Sequence, residues 1–232
     1  MATEAPAPDA CPTRVVMPAT GIEFSLPPDP EQAEATCKRD EPVRPAPPDI
    51  FGLSAIPANI HPPGSAWEAA QGVPLKEMTG PWTEVLNQSG SFPVRQYLSI
   101  VNSWANWHLR FEEDGAHDNW SPPLATLQRG SGDCEDFAMA KMTLLENAGI
   151  RPEDMFLVLV RERERPVDHA VLAVRSEQIL YVLDNRTDAV MPAETIRDYI
   201  PLQSFSGKFG WIYGYRVDAG GALPATFLKR RR

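Results

Sequence analysis

Gly132-Asp133-Cys134-Glu135-Asp136-Phe137-Ala138-Met139-Ala140-Lys141 decides how this chain is read, because it sets a single cysteine at the opening of a helix. Phe137, Ala140, Lys141, Leu144, Leu145 and Ala148 give residues 133–148 a mainly apolar face at helical spacing. Gly149 suits the left-handed position that closes such a helix. A cysteine in the first turn lies near the positive end of the helix dipole, which favours the thiolate. Its backbone N–H is a natural donor to an oxyanion formed in acyl transfer. Gly130 and Gly132 permit unusual backbone angles and leave the sulfur open to a substrate.

Downstream the hydrophobic period changes from helical to alternating. Residues 156–163, 169–174 and 179–184 are short Val-, Leu- and Ile-rich runs between polar turns, an antiparallel meander. Residues 211–217 read as a further strand and 193–199 as a short helix before it. Upstream, Val94, Tyr97, Leu98, Val101 and Ala105 predict an amphipathic helix over 94–108. Ser121-Pro122-Pro123 reads as an N-cap with a first-turn proline, opening a short helix that stops at Gly130. Helices first and strands afterwards predict an α+β fold with N-terminal helices packed on an antiparallel sheet.

His169 follows Cys134 by 35 residues and Asp184 follows His169 by 15, each on its own strand. Thiol, imidazole and carboxylate are the nucleophile, base and orienting group of a Cys-His-Asp triad. Adjacent antiparallel strands can bring two such side chains within hydrogen-bond reach. Asp184 would then fix the imidazole tautomer and leave the other ring nitrogen for the thiol. Asp168 and Asn185 are rivals for the orienting role, and alternation sends Asp168 to the opposite face from His169. Taken singly, a cysteine at a helix start is a small buried residue and a strand histidine is structural.

The chain has 232 residues, a net charge of −9 and 43% hydrophobic residues, which allows a sizeable core and argues against a nucleic-acid surface. No apolar run is long enough to span a membrane. Residues 1–50 hold 11 of the 24 prolines and few large apolar side chains, so they read as a weakly ordered lead. Residues 51–92 read as an arm wrapping the core with short helical turns, 93–217 as the domain, and 218–232 as a solvated basic tail. Cys11 and Cys37 form a disulfide in an oxidising compartment or remain two separate thiols. The first residues lack the basic and apolar regions of an export signal.

The cysteine motif at 132–141, Asp-His-Ala-Val-Leu at 168–172 and Val-Leu-Asp-Asn at 182–185 resemble the bacterial transglutaminase-like cysteine proteinases. Val-Asn-Ser-Trp-Ala-Asn at 101–106, Asp-Asn-Trp-Ser-Pro-Pro-Leu at 118–124 and the Phe51-Gly52-Leu53 arm look like the same family. The resemblance implies a papain- or transglutaminase-like core, with Cys134 as nucleophile, His169 as base and Asp184 as orienting acid. Among its LapG-type members it also implies a periplasmic protease cutting a large surface adhesin, sequestered by a membrane-bound cyclic-di-GMP receptor. Calcium beside the cysteine is implied too, with Asp133 and Glu135 at matching positions. Asp136 adds a third carboxylate and Asp118 could contribute from the preceding loop. A cation there would offset the like charges that raise the thiol pKa. Related chemistries are transfer to an amine, as in a transglutaminase, hydrolysis of a side-chain amide, and a calcium-dependent binding module without turnover.

Overall fold

The computed structural model describes residues 43–115, 119–165 and 167–215, with the backbone of 13–16 and 23–26. Cys11, Cys37, Asp118 and the tail 218–232 lie outside the described residues, and so do the readings placed on them. The chain divides into two compact units, residues 1–43 and 44–232. In the first, β1 (Thr13–Val16) and β2 (Glu23–Leu26) pair antiparallel.

The second unit is built on a seven-stranded sheet of β3 (Ser54–Ala58), β6 (Met155–Glu162), β7 (Asp168–Ser176), β8 (Ile179–Asp184), β9 (Thr187–Pro192), β10 (Tyr199–Ser206) and β11 (Phe209–Gly214). Its order is β3-β11-β10-β6-β7-β8-β9, with every neighbouring pair antiparallel. Among the described residues five helices precede the meander: α1 (Ala66–Ala69), α2 (Thr83–Asn87), α3 (Val94–His108), α4 (Pro123–Arg129) and α5 (Cys134–Asn147). This is the α+β layout that the sequence predicts.

Alternation divides the core in two. Leu157, Ala170, Leu172, Val174 and Leu183 face the helices and pack with Leu98, Val101, Ala105, Phe137 and Leu144. Phe156, Val158, Val160, Val171, Ala173, Val182 and Trp211 form the other face, covered by Ile50, Phe51 and Ala55. Each such large side chain stabilises the fold by about 1.5–3 kcal/mol through the hydrophobic effect. Burial on both faces explains why β6 and β7 read as near-continuous apolar runs rather than as strict alternation.

Three details depart from the sequence reading. Residues 193–199 are not a helix: only Ala193–Thr195 makes a single 3-10 turn, and Tyr199 already starts β10. The arm supplies an edge strand, β3, in which Pro57 is tolerated because an edge needs fewer backbone donors. Ser121 does not cap α4; Pro122 holds that position, and the Ser121 N–H is drawn to Asp136 Oδ1 at 2.7 Å.

Candidate active site

Asp133 starts α5 as its N-cap, accepting the Asp136 N–H on Oδ1 at 3.3 Å. The chain reaches it through β4 (Arg110–Phe111) and β5 (Ser131–Gly132), a short parallel pair with Phe111 opposite Gly132. Gly130 turns the corner with φ 71°. Gly132 is needed for a different reason, since a Cβ there would come within 2.5 Å of Asp136 Oδ2. The Asp136 carboxylate is 2% exposed and is held by the Ser121 N–H and by Arg129 Nη2 at 3.2 Å. Arg129 Nε also donates to the Ser131 carbonyl at 3.1 Å. One guanidinium thus ties α4, the glycine loop and the first turn of α5 together, and Cys134 sits on that frame.

His169 and Asp184 lie on the adjacent strands β7 and β8, offset diagonally across the register that pairs Leu172 with Leu183. Both are buried, at 2% and 5% exposure, and His169 Nε2 lies 3.0 Å from Asp184 Oδ1. A carboxylate only accepts, so Nε2 carries a proton, and in the neutral ring Nδ1 is the nitrogen that keeps a lone pair. Nδ1 makes no other hydrogen bond among the described residues. Of the rivals, Asp168 is exposed and held in a fork by Arg161, at 2.7–2.9 Å. The Asn185 side-chain oxygen is buried without a partner among the described residues.

Sequence reasoning missed two residues that complete this pair. Tyr199 donates its hydroxyl to Asp184 Oδ2 at 2.5 Å and packs its ring 5.8 Å from that of His169. It opens the strand that the sequence does not announce, so no local signal could have found it. Asn106 on α3 donates to the Asp184 carbonyl at 3.0 Å, fixing the strand end from the helix side; it falls within the 101–106 segment that carries the resemblance. The Arg186 N–H adds a third donor to the Asp184 carboxylate at 3.0 Å. Burial pushes the Asp184 pKa up, but the hydrogen bonds from His169, Tyr199 and Arg186 outweigh it and hold the carboxyl below its usual range. Burial and the Asp184 charge push the Tyr199 hydroxyl up, so it stays a donor.

The thiol is half-buried and belongs to the helix-side core. Sγ does not join the imidazole here: it donates to Glu135 Oε2 at 2.9 Å. The Ala170 backbone, next to His169 in the chain, also hydrogen-bonds the sulfur and favours its ionised form. Burial pushes the thiol pKa up, and the charges of Glu135 and Asp133 push it further. Both effects oppose the helix dipole, which favours the thiolate. Glu135→Gln is therefore expected to speed iodoacetamide alkylation of Cys134 at pH 8 by about tenfold, through a lowered thiol pKa. An unchanged or slower rate would show that the carboxylate does not govern the sulfur.

Asp133, Glu135 and Asp136 each serve a different partner in this structure. Their carboxylates serve a helix cap, the thiol and the Ser121–Arg129 pair respectively. Among the described residues no three His, Cys, Asp or Glu side chains converge on a point. Calcium takes six to eight oxygens, and Asp136 has already been claimed by a cation of the chain itself. Among the described residues no helix is long and apolar enough to cross a membrane.

Solved structures with the same fold include LapG of Legionella pneumophila, 24% identical with a TM-score of 0.52, covering 67% of this chain and 90% of that one. A calcium-bound form of the same Legionella protein gives 24% identity and a TM-score of 0.54, over 72% and 99% of the two chains. The UPF0252 protein PH0672 of Pyrococcus horikoshii is 28% identical over 124 residues, which is 52% of this chain but only 38% of that protein's length. The model of the bacterial transglutaminase-like cysteine proteinases, BTLCP, matches residues 88–213, which hold Cys134, His169 and Asp184. Matched over more than half its length, the chain belongs to that family of cysteine proteinases.

Proposed function

We propose that the chain is an endopeptidase acting through a thioester, with Cys134 as nucleophile, His169 as general base and acid, and Asp184 as the orienting acid. The single observation that carries this is the buried His169–Asp184 pair, whose free Nδ1 belongs to the residue beside the one hydrogen-bonding the Cys134 sulfur. In the reaction, Nδ1 takes the thiol proton and Sγ bonds to the scissile carbonyl carbon. The resulting imidazolium is paired to Asp184. The proton passes to the leaving amine as the C–N bond breaks, and water, deprotonated by the same nitrogen, then cleaves the thioester to acid and free thiol. The Cys134 N–H, at the helix start, is the donor we assign to the oxyanion.

A protein substrate follows from that chemistry, and the resemblance directs the first trials to large surface adhesins in the periplasm. A membrane-bound cyclic-di-GMP receptor is the regulator to test beside them. Transfer to an amine is the competing outcome. Incubation with a glutamine donor and a fluorescent amine separates the two, and hydrolysis is expected to dominate. Amine incorporation outpacing hydrolysis would overturn the protease reading. Calcium is read by the alkylation assay: a rise on adding calcium in wild type, absent in Glu135→Gln, would assign the ion to that carboxylate.

A further inference from the structure

The arm that covers the sheet reverses at a two-residue turn, Phe51-Gly52, between Ile50 and Leu53. Those two flanking residues exchange backbone hydrogen bonds in both directions, each at 3.0 Å. Phe51 has φ 51° and Gly52 has φ 78°, so both central residues are left-handed. Such a turn takes Asn-Gly, Asp-Gly or Gly-Gly, because a bulky side chain at the first position crowds its own backbone. The other non-glycine residues with positive φ among the described ones, Glu177 and Gln178, are exposed in the β7–β8 turn. Phe51 is instead 4% exposed. Its ring meets that of Tyr199 edge-on, with centroids 5.6 Å apart and planes at 74°. Tyr199 in turn lies 5.8 Å from the His169 ring and donates its hydroxyl to Asp184 Oδ2 at 2.5 Å. Covering the sheet does not by itself call for a ring at a left-handed position, since Ile50 and Ala55 cover the same face. Backbone strain persists where the surrounding structure over-determines it. Here the strained residue is the one that backs Tyr199.

We propose that Phe51 is a positioning residue: its ring backs the Tyr199 phenol, which keeps its hydroxyl on Asp184 and so fixes the carboxylate that orients His169. The path runs through two contacts, ring to ring and hydroxyl to carboxylate. The catalytic consequence rests on the triad reading above, but the mechanical coupling does not. Phe51→Asn removes the ring and gives the turn the residue it prefers ahead of its glycine, so the arm keeps its path. Carboxyl NMR of the full chain, with Asp184 assigned through its asparagine variant, follows the Asp184 titration without any substrate. A carboxylate that loses a donor titrates higher, so Tyr199→Phe should raise the Asp184 midpoint by about one pH unit. Phe51→Asn should raise it by at least about half of that. In the double variant the second change should add nothing, because Phe51 acts only through the hydroxyl. The other charged groups acting with Asp184 or Tyr199 are Arg186, which pairs with Glu162, Asp198 just before β10, and Lys141 on α5. A substitution at Phe51 alters none of these groups. On a cleaved protein, Phe51→Asn should lower kcat by about fivefold and leave KM unchanged. An unmoved Asp184 midpoint in the folded variant, or shifts that add in the double variant, overturns the proposal. Should Phe51→Asn fail to fold, Phe51→Leu keeps apolar volume without the ring edge, and an unmoved midpoint there overturns it equally. A moved midpoint in a chain that cleaves nothing supports the coupling and sinks the triad reading alone.

Discussion

Cys134→Ala and His169→Ala are each expected to lower kcat/KM for a cleaved protein by at least about a thousandfold, measured on folded enzyme. The two losses should not multiply in the double variant. Without the sulfur there is nothing for the imidazole to deprotonate, and without the imidazole the thiol stays protonated. Burial and the charges of Glu135 and Asp133 push the thiol pKa up, so the sulfur depends on that base. The fold should tolerate both changes. Asp184 keeps the Tyr199 hydroxyl and the Arg186 N–H when His169 is truncated. Cys134 contributes a half-buried side chain beside a frame held by Asp136, Ser121 and Arg129. Multiplicative losses would mean that sulfur and imidazole act independently, which acyl transfer through one site does not permit.

The elements that frame the site were legible where local physics and packing agree. The periodic stripe of α3 and the apolar face of α5 predict those helices within a residue or two of their observed ends. β6, β7 and β8 are legible because burial on both faces demands unbroken Val, Leu and Ile. β10 is not: Pro201 interrupts it at a register shift against β6, and Gln203, Ser204 and Ser206 dilute its pattern. With that strand unseen, Tyr199 could not be placed against Asp184. The acids around Cys134 are a different case. Three carboxylates in four positions invite a metal, yet sequence spacing does not say where each one points. Arg129, seven residues before Asp136, takes one of them. Which carboxylate serves His169 was decided by register: Asp184 lies across the ladder, whereas Asp168 is adjacent in sequence and faces Arg161.

Asp184→Asn is expected to retain weak activity, about a hundredfold below wild type, because it removes a charge and not a shape. The amide oxygen can still accept from His169 and the Arg186 N–H, as Oδ1 does now. The amide nitrogen then faces the Tyr199 hydroxyl, which must turn from donating to accepting. The imidazolium formed during acylation loses the anion that offsets it in a buried site, and that is where the rate falls. Stability carries an independent signature. The Asp184 pKa is lowered by folding, so its stabilising contribution is complete above the unfolded carboxyl value of about 3.9. That contribution is lost as pH falls through the lower folded value. Thermal melts of wild type and variant from pH 6 down to pH 2 should therefore show a gap that closes on acidification. A gap that stays constant would mean that the carboxylate is not held ionised by His169, Tyr199 and Arg186. The residual activity would then need another source than a correctly oriented ring.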